Sequence, residues 1–253
     1  MWLIEYRELI RIMTISELKV KYQSSILGFT WSLLNPLLMM LVLYFVFNNV
    51  FKATQNHFAL YLLIGIVSWR FLSNGTMSAM ASIVGKPSLV TKIRIPRQVL
   101  VLSVVLSSFI SSILEFVVLL PLLFILGVGL SPYILLFPVI HLIFFMMVYG
   151  MSLILASLYV YYRDLNQIWE VIIQMGFFLS PIVYPLSTVP KEYLSYYMLN
   201  PVTVIIQMYR DILLYHAAPA PADLAFAFLV GIAIVLLGSA VFKRLERRFA
   251  EEM

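Results

Sequence analysis

The chain of 253 residues has no cysteine. Disulfides, thiol nucleophiles and thiolate–metal sites are therefore excluded. Charge is also scarce. Asp, Glu, Lys and Arg make up 11% of the residues, against about 25% in a soluble globular domain. A chain this poor in charge cannot cover a soluble surface. Acids number 12 against 17 bases. In an apolar chain that excess reads as a topology signal rather than a nucleic-acid footprint, so no nucleic-acid partner is expected. The three histidines, His57, His141 and His216, are too far apart for metal-ligand spacing. Gly85-Lys86 is followed by Pro87 where a phosphate loop needs Ser or Thr, and the upstream glycine is missing. The sequence therefore predicts neither an enzyme nor a resident metal or cofactor.

Hydrophobic residues make up 62% of the chain, which places it in the membrane class. A spanning helix needs about 20 mostly apolar residues. Six segments qualify: 30–51, 58–84, 98–126, 133–162, 165–185 and 222–242. The expectation is an all-α membrane protein, a single transmembrane domain over 1–253 with six spans. The second half of the second span, SNGTMSAMASIVG, is small and polar and must face other helices. Residues 1–22 lack the apolar core and cleavage site of a signal peptide. Trp2, Tyr6, Leu9 and Met13 recur at helical spacing there, opposite charged residues. That pattern predicts an amphipathic helix lying in the headgroup plane, in contact with membrane lipid.

Six spans put both termini on one side. With the N-terminus in the cytoplasm, the inner segments carry thirteen Lys and Arg. The outer segments carry three: Lys52, Lys191 and Arg210. Basic residues accumulate on the inner side, so both termini are expected in the cytoplasm. Residues 186–221 form a long outer connection. Asn200-Pro201 reads as a helix start. The 15 or so residues after it are too few to cross, and STVPKEYLSYYML before it reads as a second short helix. Together they predict a re-entrant hairpin between spans five and six.

Two charges fall inside spans, Arg70 in the second and Glu115 in the third. At 1.5 Å per residue they lie ~18 Å and ~16–17 Å from the outer ends of their helices. The equal depth predicts an ion pair, serving either structure or function. Ser103, Ser107 and Ser111 form a small-residue stripe suited to close helix packing. The fifth span carries Asn166, Glu170, Gln174, Phe177, Pro181 and Tyr184 at three- or four-residue spacing. This polar-to-aromatic stripe is ill suited to lipid. It faces either another helix or a wet path, for which sugars are apt. Their hydroxyls meet amides and carboxylates, and their C–H faces meet aromatic rings.

The loop GKPSLVTKIRIPR at 85–97 carries Lys86, Lys92, Arg94 and Arg97 and no acid. It accompanies QSSILGFTWSLLNPLLMMLVLYFVF at 23–47, YYRDL at 161–165, SPIVYP at 180–185 and LNPVTVIIQMYRDIL at 199–213. In this order, the segments resemble the transmembrane permease of type-2 ATP-binding-cassette polysaccharide exporters, which move lipid-linked O-antigen, capsule or teichoic acid. The resemblance implies a homodimer in the bacterial cytoplasmic membrane, bound to two copies of a separate nucleotide-binding ATPase that holds ATP and Mg²⁺. It implies a lipid-linked polysaccharide, most simply O-antigen, as substrate. Residues 85–97 resemble the coupling helix. Pro87 would start a short helix, Leu89 and Val90 would dock on the ATPase, and Ser88, Lys92 and Arg94 would lie beside them. Two positions depart from the family pattern, Gln98 in place of an acid and Arg70 in place of a neutral residue. Arg70 could thus meet a substrate phosphate as well as Glu115. Two other readings stand beside this one, a type-2 exporter of drugs or lipids and an ion-coupled secondary transporter built on Arg70 and Glu115.

Overall fold

A computed structural model of the chain describes residues 5–23, 28, 30–49, 56–92, 95–249 and 252. Among the described residues there are only helices, turns and connecting loops. Helix α1 (Arg7–Tyr22) is followed by α2 (Thr30–Asn49), α3 (Phe58–Met80), the short α4 (Pro87–Lys92) and α5 (Gln98–Ile125). A 3-10 turn, Pro132–Leu136, leads into α6 (Phe137–Tyr161), and α7 spans Leu165–Leu179. Then come α8 (Lys191–Leu199), α9 (Pro201–Arg210) with a π turn at Asp211–Tyr215, and α10 (Pro221–Leu245).

Five described helical segments are long and apolar enough to cross a membrane: Thr30–Asn49, Phe58–Met80, Gln98–Ile125, Pro132–Tyr161 and Pro221–Arg248. The chain is an all-α, multi-pass membrane protein. The fifth expected span, 165–185, is the exception. Helix α7 has 15 residues, ~22 Å at the α-helical rise, against a hydrocarbon core of ~30 Å. Pro181 explains the early stop, because proline drives the preceding Ser180 out of helical conformation. Ser180 has ψ 145°, an extended value. The second expected span also ends early, at Met80, ahead of a run of turns through Gly85 that leads to Pro87.

Helix α3 is the hub. Its apolar window is 78% buried, against 11% for α2. It packs on α5, α6, α2 and α7. The serine stripe of α5 is buried throughout. Ser103 donates to the carbonyl of Val99 at 2.7 Å, and Ser111 to that of Ser107 at 3.0 Å. Satisfied within their own helix, these hydroxyls let neighbours approach closely. The tightest crossing joins α6 and α10. A Cβ on Gly238 would stand 2.3 Å from the carbonyl oxygen of Gly150, and one on Gly150 would stand 2.6 Å from Ile234 C. Only glycine permits that approach.

Helix α1 lies along α5. Tyr6, Leu9 and Met13, expected to face lipid, turn instead toward the protein core; Trp2 falls outside the described residues. Ile10, Met13 and Thr14 are buried, while Ile12, Ile15 and Val20 are exposed. The charged face is also partly engaged, because Glu17 pairs with Lys86 in the loop before α4. Tyr22 Oη is 3.1 Å from Ser111 Oγ and accepts from Ser32 Oγ at 3.0 Å. The apolar stripe is real, but a neighbouring helix covers it.

The bundle has two distinct ends. At one, α1 meets the α4 loop through Glu17 and Lys86. There Arg97 donates to the carbonyl of Glu246, and Tyr161 Oη donates to that of Leu245 at 2.9 Å. Phe249 is fully buried beside them, with the Arg97 guanidinium 5.8 Å from its ring. Helix α1 and residues 245–249 therefore share this end. At the other end, α9 packs against α3, α6 and α10. Eight of its ten residues are buried, whereas α8 buries none. Asn200 caps α9 by accepting from the amide of Val202 at 3.0 Å, and Pro201 stands at the first position, where its missing N–H costs nothing.

Candidate functional site

Midway along α3 and α5, the structure brings Arg70 and Glu115 together. Arg70 Nε is 3.7 Å from Glu115 Oε2. Arg70 Nη1 donates to Asn35 Oδ1 on α2 at 2.9 Å. The two charged groups are not equally sheltered. The Glu115 side chain is 5% exposed and that of Arg70 23%. The guanidinium therefore links three helices and keeps part of its surface open. Asn35 itself is exposed. A carboxylate buried this deep needs its cation, because stranding it costs ~3–5 kcal/mol.

Helix α7 is anchored to the small, polar half of α3. Trp169 Nε1 donates to Thr76 Oγ1 at 2.9 Å. Trp69 packs edge-on against Phe177, with ring centroids 6.2 Å apart. Gly176 admits the Trp69 ring, since a Cβ there would come within 2.8 Å of it. The expected stripe divides accordingly. Glu170 and Gln174 are exposed, while Asn166 and Phe177 are half-buried on the anchored side. Pro181 and Tyr184 lie beyond the helix end, so they do not extend its face. The Tyr184 hydroxyl donates to the carbonyl of Phe178 at 2.9 Å and lies 3.0 Å from that of Tyr197. Apart from Ile173, α7 has no buried residue, and Ile168, Val171, Ile172, Met175, Phe178 and Leu179 are exposed.

The 85–97 loop contains the short helix that Pro87 predicts. Its expected apolar docking pair faces inward. Val90 is 4% exposed and Leu89 is half-buried against the same core. In a six-residue helix they sit on the side facing the bundle and pack there. The surface offered outward is Pro87, Ser88, Thr91 and Lys92. Arg94 lies outside the described residues. Lys86 is held by Glu17, so α1 and the loop are tied by charge.

Arg210, read from sequence as an outer-loop charge, is fully buried. Nη1 donates to Tyr61 Oη and to the Pro181 carbonyl, both at 2.7 Å, and to Gln207 Oε1 at 3.1 Å. Nη2 donates to the carbonyls of Ile182 at 3.2 Å and Tyr61 at 3.3 Å. The guanidinium stacks on the Tyr61 ring, 3.3 Å from its centroid. Gly65 leaves room for it, since a Cβ there would come within 3.0 Å of Nη2. Among the described residues no carboxylate forms an ion pair with it. Neutral acceptors from α3, the 180–183 segment and α9 fix the buried cation and so clamp three segments together. The signal was present in the sequence. Thr203, Ile206 and Arg210 recur at helical spacing, which puts Arg210 on the apolar face of its helix.

Residues 8–214 match the family described as ABC-2 type transporter. The chain is 32% identical to the O-antigen export system permease protein RfbA of Myxococcus xanthus, over 99% of this chain and 97% of that protein. It is 26% identical to a Klebsiella pneumoniae protein of the same name, over 96% and 94%. It is 22% identical to the polysialic acid transport protein KpsM of Escherichia coli, over 91% and 90%.

Proposed function

This chain belongs to the ABC-2 type transporter family, and on that premise we propose that it is the permease subunit of an ATP-driven exporter of lipid-linked polysaccharide, most simply O-antigen. The end-to-end likeness to an O-antigen export permease, 32% identity over 99% of the chain, carries the reading. The permease has no nucleotide chemistry of its own. ATP and Mg²⁺ belong to a separate ATPase, bound in two copies to a permease homodimer in the cytoplasmic membrane. Both termini lie in the cytoplasm, with the α4 loop. The short α7 serves as the fifth crossing, completed by residues 180–185.

In this reading α4 transmits the ATPase stroke through its outward face, Pro87, Ser88, Thr91 and Lys92. Leu89 and Val90 fasten it to the bundle so that displacement of α4 is felt by α3 and α5. Glu170 and Gln174 line the polymer path, with Asn166, Phe177 and Tyr184 along its margin. Their exposure on a largely apolar helix supports the assignment, because lipid is a poor neighbour for a carboxylate and an amide. Arg70 meets a phosphate of the lipid-linked substrate with its open side while Glu115 holds the other.

The test is export by inside-out vesicles holding the chain and its ATPase, loaded with the source cell's lipid-linked polysaccharide. ATP-dependent delivery of polymer to the lumen is expected. Delivery without the ATPase, driven by an ion gradient, would instead establish a secondary transporter.

A further inference from the structure

Residues 186–199 build a feature that the export path does not account for. The 3-10 turn Leu186–Thr188, the extended Val189-Pro190 and α8 enclose an open cup of about 490 Å³, lined by Tyr184, Thr188, Pro190, Tyr193, Tyr196 and Tyr197 among others. Small-molecule sites run from ~300 to 1,000 Å³. Tyr193, Tyr196 and Tyr197 follow at i, i+3 and i+4, which gathers three phenols on one side of α8.

The four rings are not equivalent. Tyr184 and Tyr197 form a fixed wall, with centroids 6.4 Å apart in an edge-on arrangement and their hydroxyls 3.0 Å apart. Tyr193 and Tyr196 are 55% and 70% exposed, and their hydroxyls make no hydrogen bond among the described residues. They present both ring face and hydroxyl to whatever enters. The cup lies at the end of the bundle opposite α4, and Tyr184 connects it to the end of α7.

We propose that this tyrosine cup is a glycan-binding site that receives a pyranose unit of the polymer as it leaves the permease. The inference rests on the export reading above and adds an outer subsite to it. A pyranose carries axial C–H bonds on one face and hydroxyls around its edge. Phenol rings attract the C–H face through their negative quadrupole, and phenol hydroxyls both donate to and accept from the edge. An acyl chain is the poorer occupant, because it offers no donor or acceptor to the exposed phenol hydroxyls. The protein has a different place suited to a chain, an apolar crevice of about 190 Å³ between α5 and the 132–136 turn, walled by Ile113, Phe116, Leu120, Leu135 and Phe137.

The test uses the full chain with its ATPase in nanodiscs. The probe is water-soluble polysaccharide released by mild acid from the source cell's surface. The Tyr193→Ala/Tyr196→Ala double variant removes two exposed rings, so folding should be spared. It is expected to bind the probe roughly tenfold more weakly than the wild type. The Tyr193→Phe/Tyr196→Phe variant keeps the rings and should retain most of the affinity. Unchanged affinity in the alanine variant overturns the proposal and leaves the cup as a lipid–water anchor. A change in oligomeric state with unchanged affinity overturns it too, and makes the cup an interface between copies. Wild-type complex that hydrolyses ATP without exporting polymer would sink the export reading itself, a result separate from either of these.

Discussion

Replacing Arg210 by methionine tests the clamp most directly. The substitution keeps much of the volume and removes the charge. It strands the carbonyl of Ile182, which accepts from Arg210 at 3.2 Å, and takes the short 2.7 Å bond from that of Pro181, leaving it only Tyr61 Oη at 3.2 Å. Each buried acceptor left without a donor costs ~1–3 kcal/mol. Loss of the stack on Tyr61 adds ~0.5–2 kcal/mol. The release of a fully buried cation with no ion-pair partner among the described residues works the other way and returns part of this. The net expectation is a local loss of about 3 kcal/mol, confined to the segments that the guanidinium joins. Since ~1.4 kcal/mol is a factor of ten, amides in the Arg210 variant should exchange with solvent about a hundredfold faster at residues 201–215. Helices α5, α6 and α10 should keep their protection. Hydrogen exchange read by mass spectrometry in detergent resolves this. Unchanged exchange at 201–215 would show that the apolar packing of α9 suffices and that the argument from stranded acceptors fails. Arg210→Lys should fall between, because an ammonium donates at most three hydrogen bonds and does not stack as a plane.

Three further outcomes follow from named contacts. Gly238→Val should abolish monodisperse protein on size-exclusion chromatography, since even a Cβ would stand 2.3 Å from Gly150 O, beyond the range that ~1–3 kcal/mol of overpacking strain accommodates. Arg70→Ala should lower the melting temperature in detergent more than Glu115→Ala, because it strands the more deeply buried carboxylate, whereas Arg70 without Glu115 keeps Asn35 and its open side; the Arg70→Glu/Glu115→Arg exchange should recover part of the loss, and no recovery would show that the pair is not interchangeable. In the α4 loop, Val90→Asp should fail to fold, as it sets a carboxylate in the core, whereas Lys92→Glu should fold normally and reduce ATP-driven export several-fold, read by melting and by the vesicle assay.

The spans were readable because their signal is composition integrated over about 20 residues, which survives any arrangement of neighbours. Helix α9 was readable at its start, because Asn200 and Pro201 act locally. The Arg70–Glu115 contact at 3.7 Å was within reach of the sequence because helical rise fixes depth, and antiparallel neighbours must match their charges by depth. Burial direction was harder to read. The stripe of Tyr6, Leu9 and Met13 is apolar whether lipid or α5 covers it, so periodicity could not choose between them. Val90 posed the same problem in a six-residue helix, where one turn offers no second repeat to fix the outward face. Arg210 was misplaced by a rule that counts charges between spans without asking whether a short buried helix carries them. The cutoff of α7 at Leu179 was legible in Pro181, but the hydrophobic run across that proline outweighed it.

The glycine crossing of α6 and α10 also governs which parts of the bundle can move. Two helices in backbone contact cannot slide or rotate freely, because leaving this register carries Gly150 off Gly238 and toward the residues that flank it. They form a stator, with the heavily buried α3 as its axle. Helix α2, buried over 11% of its window, and α7, which buries only Ile173, are held by few fixed neighbours. Rearrangement that leaves the core packed therefore falls to these two helices, and the Arg70–Asn35 and Trp169–Thr76 hydrogen bonds are the pivots about which they would turn.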